Sequence, residues 1–195
     1  MRILAQIGFY INQSLCQGCK ACTVSCKDKN NTNVGINFRR VYSFEEGTYM
    51  QKSTGGIVQN VKAFHLSISC NHCVSPACVL NCPTGAIVKR KEDGVVTIDQ
   101  DICAGAQLCV KACPYGAPQY DENKFKANKC NFCIDLQETG EDPVCVATCP
   151  MGAIEFGPIE ELKKKYGEIR QIKGMPSPTV TNPNIVITPH KDAIL

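Results

Sequence analysis

Fifteen cysteines fall into four short runs, and these runs constrain the fold of the 195-residue chain more than any other feature. The runs are Cys16, Cys19, Cys22, Cys26; Cys70, Cys73, Cys78, Cys82; Cys103, Cys109, Cys113; and Cys130, Cys133, Cys145, Cys149. The chain has no Trp, seven Phe and six Tyr, so few aromatic side chains are present to pack in a core. We therefore expect bonds to sulfur, either disulfides or metal–thiolate bonds, to hold the interior together.

The spacing within the runs favours iron–sulfur clusters over the alternatives. Gaps of two, two and three residues in the first run match the bacterial ferredoxin pattern, although Lys27 stands where proline is usual. Two intervening residues let the backbone turn tightly around a cluster with amide N–H groups free to donate to sulfur. Zinc sites with four thiolates use two separated CxxC pairs, and they need no third and fourth cysteine followed by proline.

Charge and hydropathy exclude several classes of protein. A net charge of +3 from 21 basic and 18 acidic residues is too balanced for a nucleic-acid-binding stripe. The N-terminal segment MRILAQIGFYINQSLC has no uninterrupted hydrophobic stretch with a cleavage site, so no export signal of its own is expected and disulfides are disfavoured. No apolar run approaches the roughly 20 residues of a membrane span. No hydrolytic triad, phosphate loop or GxGxxG motif is present, so we expect no catalytic residues.

A recurring phrase indicates an internal repeat. CPTGAI, CPYGAP and CPMGAI follow three of the runs, and the segments GFYIN, FHLSI and VVTID before three runs are predicted strands. The order strand, ligand loop, short helix and strand repeats four times, which predicts two ferredoxin-like modules. In two-cluster ferredoxins the fourth cysteine of a run binds the neighbouring cluster, so the runs are expected to work in pairs.

Three segments lie outside this repeat. Residues 47–60, GTYMQKSTGGIVQN, are predicted to form an exposed hairpin or loop. GPIEELKKKYG predicts a short helix that begins near Pro158 and ends before Gly167, with ion pairs Glu160–Lys164 and Glu161–Lys165. The tail KGMPSPTVTNPNIVITPH is rich in proline and β-branched residues, which favours an extended arm on another surface.

The third run lacks one cysteine, because Ala106 stands where the second of four would come. A methyl group cannot bind iron, so this iron is absent, which gives a 3Fe-4S cluster, or it takes another ligand. Gln107 and Asp101 are the nearby candidates for an oxygen ligand. A degenerate, empty site is the remaining alternative, although three buried thiols without iron would be reactive.

With these runs and their flanks, the sequence resembles the four-cluster ferredoxin subunits of molybdenum oxidoreductases of the dimethyl sulfoxide reductase family. The resemblance covers about Gly8 to His190. It is carried by LCQGCKACTVSCKD, FRRVYSFE, HLSISCNHCVSPAC, CPTGAI, CPYGAPQY, CNFC, CVATCPMGAIEFGPIEELKKKYG and TNPNIVITPH. The cysteine runs are typical of any four-cluster ferredoxin, whereas FRRVY, LSISCNHC and the tail indicate the narrower group.

The resemblance implies three 4Fe-4S clusters and one 3Fe-4S cluster, with iron bound only through cysteine. In the family the first run shares a module with the fourth, and the second shares one with the third. The implied 4Fe-4S ligand sets are Cys16, Cys19, Cys22 and Cys149; Cys130, Cys133, Cys145 and Cys26; and Cys70, Cys73, Cys78 and Cys113. Cys103, Cys109 and Cys82 are left for the 3Fe-4S cluster, and nitrate reductase relatives hold such a cluster at the position that matches Ala106.

The implied fold class is α+β, with two interleaved bacterial-ferredoxin-like modules, a β-hairpin insertion and an extended C-terminal arm. The outer module would comprise residues 1–69 and 125–157, the inner module residues 70–124, and the helix and arm residues 158–195. The implied function is electron transfer between a molybdopterin catalytic subunit and a membrane anchor linked to quinol or quinone. Association with the membrane would then come through partner subunits.

Two alternatives remain open from the sequence. A stand-alone polyferredoxin would carry electrons between several enzymes, and it is expected to be more acidic than this protein. The electron-transfer subunit of a formate dehydrogenase or hydrogenase complex would share the cysteine runs.

Overall fold

The computed structural model describes residues 6–194, in which short strands and helices alternate along the sequence. The strands are β1 (Ile7–Asn12), β2 (Arg40–Glu46), β3 (Tyr49–Gln51), β4 (Ile57–Gln59), β5 (Lys62–Ile68), β6 (Ile87–Lys89), β7 (Val96–Ile98), β8 (Gln119–Asp121), β9 (Lys126–Asn128), β10 (Ile154–Pro158) and β11 (Ile185–Thr188). The helices are α1 (Ala21–Lys29), α2 (Ala77–Leu80), α3 (Leu108–Ala112), α4 (Ile134–Glu138), α5 (Val144–Ala147) and α6 (Ile159–Tyr166). This mixed content agrees with the expected α+β class, and the predicted strands GFYIN, FHLSI and VVTID are present as β1, β5 and β7.

A three-stranded sheet joins the two ends of the described part of the protein. Strand β1 lies at its centre, antiparallel to β10 and parallel to β11. Ile11 and Ile187 face each other across the parallel pair, and both are fully buried. Strands buried on both faces need apolar side chains in succession, which explains the run IVI in β11.

The C-terminal tail forms strand β11 only at Ile185–Thr188, turns occupy much of residues 174–181, and the surface that the strand covers belongs to the protein itself. In addition to its pairing with β1, the tail reaches the loop between Cys70 and Cys73, where Asn184 Nδ2 donates to the carbonyl of His72 at 2.7 Å. The expectation of an arm on another surface was therefore wrong for residues 181–188. Its β-branched residues supply a sheet edge of the same molecule.

The segment between the first two cysteine runs forms a ribbon and an exposed hairpin. Strands β2 and β5 pair antiparallel, and β3 and β4 continue beyond them as a hairpin with every residue exposed. The sequence predicted an exposed hairpin or loop at residues 47–60, and the structure has an exposed hairpin there.

Helix α6 confirms the predicted helix, but its ion pairs differ from the prediction. Pro158 precedes the helix and Gly167 ends it. Lys163 pairs with Glu160 at 2.6 Å, and Lys165 reaches out of the helix to Glu155 of β10 at 3.2 Å. The pairs Glu160–Lys164 and Glu161–Lys165 were wrong because β10 offers a carboxylate that the helical spacing does not reveal.

Within residues 6–194, no helix is both long enough and apolar enough to cross a membrane. The longest helix in that range is α1, with nine residues.

Truncation of the central strand should lower the stability far more than the same change in the hairpin. Ile11→Ala removes a fully buried side chain, which costs about 2–5 kcal/mol and should lower the apparent thermal midpoint by roughly 4–20 °C. The matched control is Ile57→Ala, because Ile57 is 75% exposed and its loss should cost within about 0.5 kcal/mol. Circular dichroism of the anaerobically purified proteins measures both, and similar midpoints for the two variants would contradict this account of the sheet.

Candidate metal centres

The structure brings the cysteines together in four groups, each of which combines thiols from two runs. We call them site A (Cys16, Cys19, Cys22, Cys149), site B (Cys26, Cys130, Cys133, Cys145), site C (Cys70, Cys73, Cys78, Cys113) and site D (Cys82, Cys103, Cys109, with Ala106). These are the groups that the family resemblance implies. None of the fifteen cysteines forms a disulfide.

The thiols of sites A, C and D line cavities of closely similar size. The cavity at each of the three sites has a volume of about 20 Å³. Among residues 6–194, no three His, Cys, Asp or Glu side chains are grouped as they are around a single metal ion. Thiols spread over the wall of a cavity suit a polynuclear cluster, whose iron corners are separated from one another.

All four ligand loops share one backbone feature. The residue before the second cysteine position has a positive φ in each: 69° at Gly18, 42° at His72, 70° at Gly105 and 67° at Phe132. This left-handed conformation curls the loop around the cavity, and glycine adopts it without steric cost. The repeat inferred from sequence is thus present in the backbone of the loops.

Ala106 occupies the position in its loop that Cys19 has in the first. Gly105 corresponds to Gly18, and Gln107 (φ 58°) corresponds to Lys20 (φ 63°), so the two loops have the same local conformation. Ala106 lies in the wall of site D. Gln107 also lines this cavity, whereas Asp101 is exposed and is not part of the wall.

The recurring phrase CPxGA directs backbone donors at sulfur. Its glycine has a positive φ in each copy, and the following alanine is buried. The N–H of Ala117 donates to Cys113 Sγ at 3.5 Å, and the N–H of Ala153 donates to Cys149 Sγ at 3.3 Å. Such donors stabilise a thiolate that binds metal.

Unpaired polar atoms at site C show that the cavity suits an acceptor. Asn71 Nδ2, Tyr115 Oη and Thr181 Oγ1 are buried in its wall, and no hydrogen-bond partner for them lies among the described residues. An unsatisfied buried polar group costs about 1–3 kcal/mol, so three in one wall are unusual. The sulfurs of an iron–sulfur cluster are hydrogen-bond acceptors, and the residues present therefore fit such a group.

Comparison with known proteins agrees with this geometry. The 4Fe-4S dicluster domain family matches residues 61–159. The sequence is 47% identical to the B subunit of anaerobic dimethyl sulfoxide reductase from Escherichia coli K12, over 96% of this protein and 91% of that one. It is 44% identical to the corresponding B subunit from Haemophilus influenzae, over 98% and 93% of the two lengths. Identity to the formate dehydrogenase iron–sulfur subunit of Haemophilus influenzae is 30%, over 81% of this protein and 53% of that one.

This protein belongs to the family of dimethyl sulfoxide reductase iron–sulfur subunits. Proteins of this family are electron-transfer subunits of oxidoreductases, and this family member carries 4Fe-4S clusters for the same function.

Burial sets the acidity of the thiols in this family member. It raises the pKa of Cys26 and of Cys78 to about 12 and that of Cys73 to about 11, and neighbouring thiols of the same site add to the rise. Buried thiolates therefore need a compensating cation, which bound iron supplies. Cys82 differs, because N–H groups of Ile87 and Thr84 outweigh its slight burial and hold its pKa below the ordinary value.

His72, the histidine of the CNHC loop, has a structural role here. Its Nδ1 accepts a hydrogen bond from the N–H of Val96 at 2.9 Å. Burial, with the charges of Lys129 and Lys89 nearby, lowers the pKa of His72 well below its ordinary value.

Sequence reasoning missed the buried cations. Arg39 and Lys129 are buried, and Lys129 Nζ donates to the carbonyls of Val96 and Cys130. Their signal was the presence of basic residues inside otherwise structural segments. The segment FRRVY was treated only as a mark of the family, and the segment NKC was not considered.

A comparison of two glycines tests whether the loop of site D needs close packing. Gly105→Ala should disrupt the site, because the added methyl group would meet the carbonyl oxygen of Phe125 and φ is 70°. Gly85→Ala is the matched control, since φ is also 70° but nothing lies within 4 Å of the added methyl group. Both variants pay about 1–2 kcal/mol for the left-handed conformation.

We expect only Gly105→Ala to lose iron beyond that common penalty, as measured by iron content per protein molecule and by the thermal midpoint. Equal iron content in the two variants would contradict the packing role of Gly105.

Proposed function

We propose that the protein is a wire of four clusters that relays electrons between a molybdopterin catalytic subunit and a membrane anchor linked to quinol or quinone. The observation that carries the proposal is the grouping of all fifteen thiols into four sites, three of which line a cavity. The sequence also matches the B subunit of dimethyl sulfoxide reductase over nearly its whole length. Clusters accept and release single electrons, and they would be held by sites A to D.

The order of the sites along the wire follows from which sites share an element. Helix α1 carries Cys22 of site A and Cys26 of site B, and the CxxxC of α5 joins the same two sites. The CxxxC segments of α2 and α3 join sites C and D in the same way. Cys130 of site B lies close enough to Cys70 of site C that the charge of that thiol affects its pKa, after burial. The order is therefore A, B, C, D.

The solvent exposure of the site residues supports sites A and D as the two ends of the wire. All four cysteines of site B are buried, as are three of the four at site C. Cys19 of site A and Ala106 of site D are exposed. A partner can therefore approach either end, while the middle of the wire is enclosed by protein.

The same pairing supports two interleaved ferredoxin-like modules. Sites A and B draw on residues 1–69 and 125–157, which would form the outer module, and sites C and D draw on residues 70–124, the inner module. Helix α6 packs on the sheet of β1, β10 and β11, so residues 158–195 would close the outer module.

Site D is proposed to hold the 3Fe-4S cluster and sites A, B and C the 4Fe-4S clusters. The support is the common conformation of the loops around Cys19 and Ala106, which leaves a methyl group where a thiolate would bind the fourth iron. Gln107 as an oxygen ligand is the competing assignment, since it lines the same cavity. Three-iron clusters differ from four-iron clusters in potential, so this end of the wire would be distinct from its neighbours.

Other complexes are less well supported than a dimethyl sulfoxide reductase type. The sequence spans about half of the formate dehydrogenase relative, against 91% of the dimethyl sulfoxide reductase B subunit. A stand-alone polyferredoxin would be acidic, whereas this protein has a net charge of +3 without its clusters. Membrane association would come from the anchor subunit.

Substitution of the missing ligand should convert site D. Ala106→Cys supplies a thiol in the position that Cys19 has, so we expect the electron paramagnetic resonance signal of an oxidised three-iron cluster to disappear and the iron content to rise by one atom per protein molecule. The control is Gln107→Ala, which should leave that signal unchanged. Absence of the signal from the parent protein, or its survival in Ala106→Cys, would contradict the assignment.

Purification from the native host tests the partners. We expect the protein to co-purify with a large molybdenum-containing subunit in detergent extracts of membranes, measured by metal analysis of the complex. Recovery of the protein alone would support the polyferredoxin alternative, and a nickel-containing partner would support a hydrogenase complex.

A further inference from the structure

Arg39 is a buried cation in the region between sites A and B. It is 1% exposed, and its guanidinium lies 4.4 Å from the centre of the Phe9 ring. Its Nη1 donates to Ser67 Oγ at 3.1 Å and its Nη2 donates to Ser69 Oγ at 3.0 Å. These three neighbours fix the guanidinium in one place.

No carboxylate pairs with this charge among residues 6–194. The Nε atom of Arg39 is buried and has no hydrogen-bond partner in that range either. An isolated buried cation is costly, and proteins keep one only where an anion compensates for it. The serine hydroxyls and the ring are neutral, so they cannot fill that role.

The groups that can compensate are the thiolates of two sites. Burial lowers the pKa of Arg39, but the charges of Cys145, Cys130, Cys22 and Cys26 outweigh burial and raise it above its ordinary value. Three of these cysteines belong to site B, and Cys22 belongs to site A. In turn Arg39 lowers the pKa of Cys145 against a larger effect of burial.

We propose that Arg39 is the shared counter-charge of the clusters at sites A and B and holds both of their reduction potentials up. The inference rests on the proposed function, because it requires clusters at these sites. Each reduction adds a negative charge, which a fixed cation nearby stabilises. Removal of the cation therefore shifts both potentials in the negative direction.

Ser67 adds a second contact that reaches site A alone. Its hydroxyl accepts from Arg39, which can only donate, so the hydroxyl proton is free for Cys22 Sγ at 3.4 Å. A hydrogen bond to a ligand sulfur also raises the potential of its cluster. The charge of Arg39 and the hydrogen bond from Ser67 therefore both act on site A, whereas only the charge of Arg39 acts on site B.

The neighbouring Arg40 provides a matched control, because it faces the other module. Its Nη2 donates to the carbonyl of Tyr115 at 2.9 Å. Burial raises the pKa of Cys113 of site C, and the Ala117 N–H and, more weakly, the charge of Arg40 lower it. Two successive arginines of the segment FRRVY therefore serve different sites.

The test is a redox titration of the intact complex, followed by electron paramagnetic resonance, in the parent protein, Arg39→Gln, Arg39→Lys and Arg40→Gln. Signals are assigned first with single-cysteine variants of each site. We expect Arg39→Gln to shift the midpoints of sites A and B to more negative values and to leave sites C and D unchanged. Arg39→Lys should shift them less because it keeps the charge, and Arg40→Gln should leave sites A and B unchanged.

Several results would overturn the inference. Unchanged midpoints at A and B in Arg39→Gln, or an equal shift at all four sites, would show that Arg39 has no specific effect on these clusters. If Arg39→Gln fails to assemble, Arg39→Lys decides: it must shift the midpoints of both site A and site B and leave those of sites C and D unchanged, whereas Ser67→Ala must shift site A alone, and any other pattern rejects the proposal. Absence of clusters from the parent protein, seen in iron and sulfide analysis, would instead reject the proposed function.

Discussion

Four short helices, α1, α2, α3 and α5, tie the sites together, because each contains or precedes two cysteines four residues apart that serve different sites. Helix α1 contains both of its cysteines, and a rise of 1.5 Å per residue places them about 6 Å apart along the axis. In α2, α3 and α5 the second cysteine follows within two residues of the end of the helix. Neither site of a pair can then move without the other. The remaining elements connect one of these helices to the next. They are the hairpins β6–β7 and β8–β9, the positive-φ loops and the CPxGA turns.

Most residues of the four sites could be predicted from the sequence, because the spacing of the cysteines depends directly on the local backbone geometry. The loops around Cys16 and Cys103 repeat glycine and cysteine at matching positions, and their φ angles repeat as well. Contacts between distant segments were less visible. Lys165 pairs with Glu155 of β10, although helical spacing predicted a pair with Glu161. The tail pairs with β1, and its amino-acid composition could not indicate this pairing.

Buried charge shows the same limit of sequence reasoning. Arginine in FRRVY looks like a residue of an exposed strand, since arginine is seldom fully buried. Its burial depends on Phe9, Ser67 and the thiols, which come from four separate parts of the sequence. A positive charge near thiolates, with no acid paired to it among residues 6–194, is a property of the assembled sites.

The grouping of the thiols also sets an order of biosynthesis. Sites C and D use cysteines between Cys70 and Cys113, so they have all their thiols once that segment leaves the ribosome. Sites A and B join the N-terminal region to Cys149, and β11 closes over β1 later still. Long-range closure is slow compared with local folding. The thiols of the inner pair are therefore complete well before synthesis ends, whereas Cys16 to Cys26 have all their partners only after Cys149 is made.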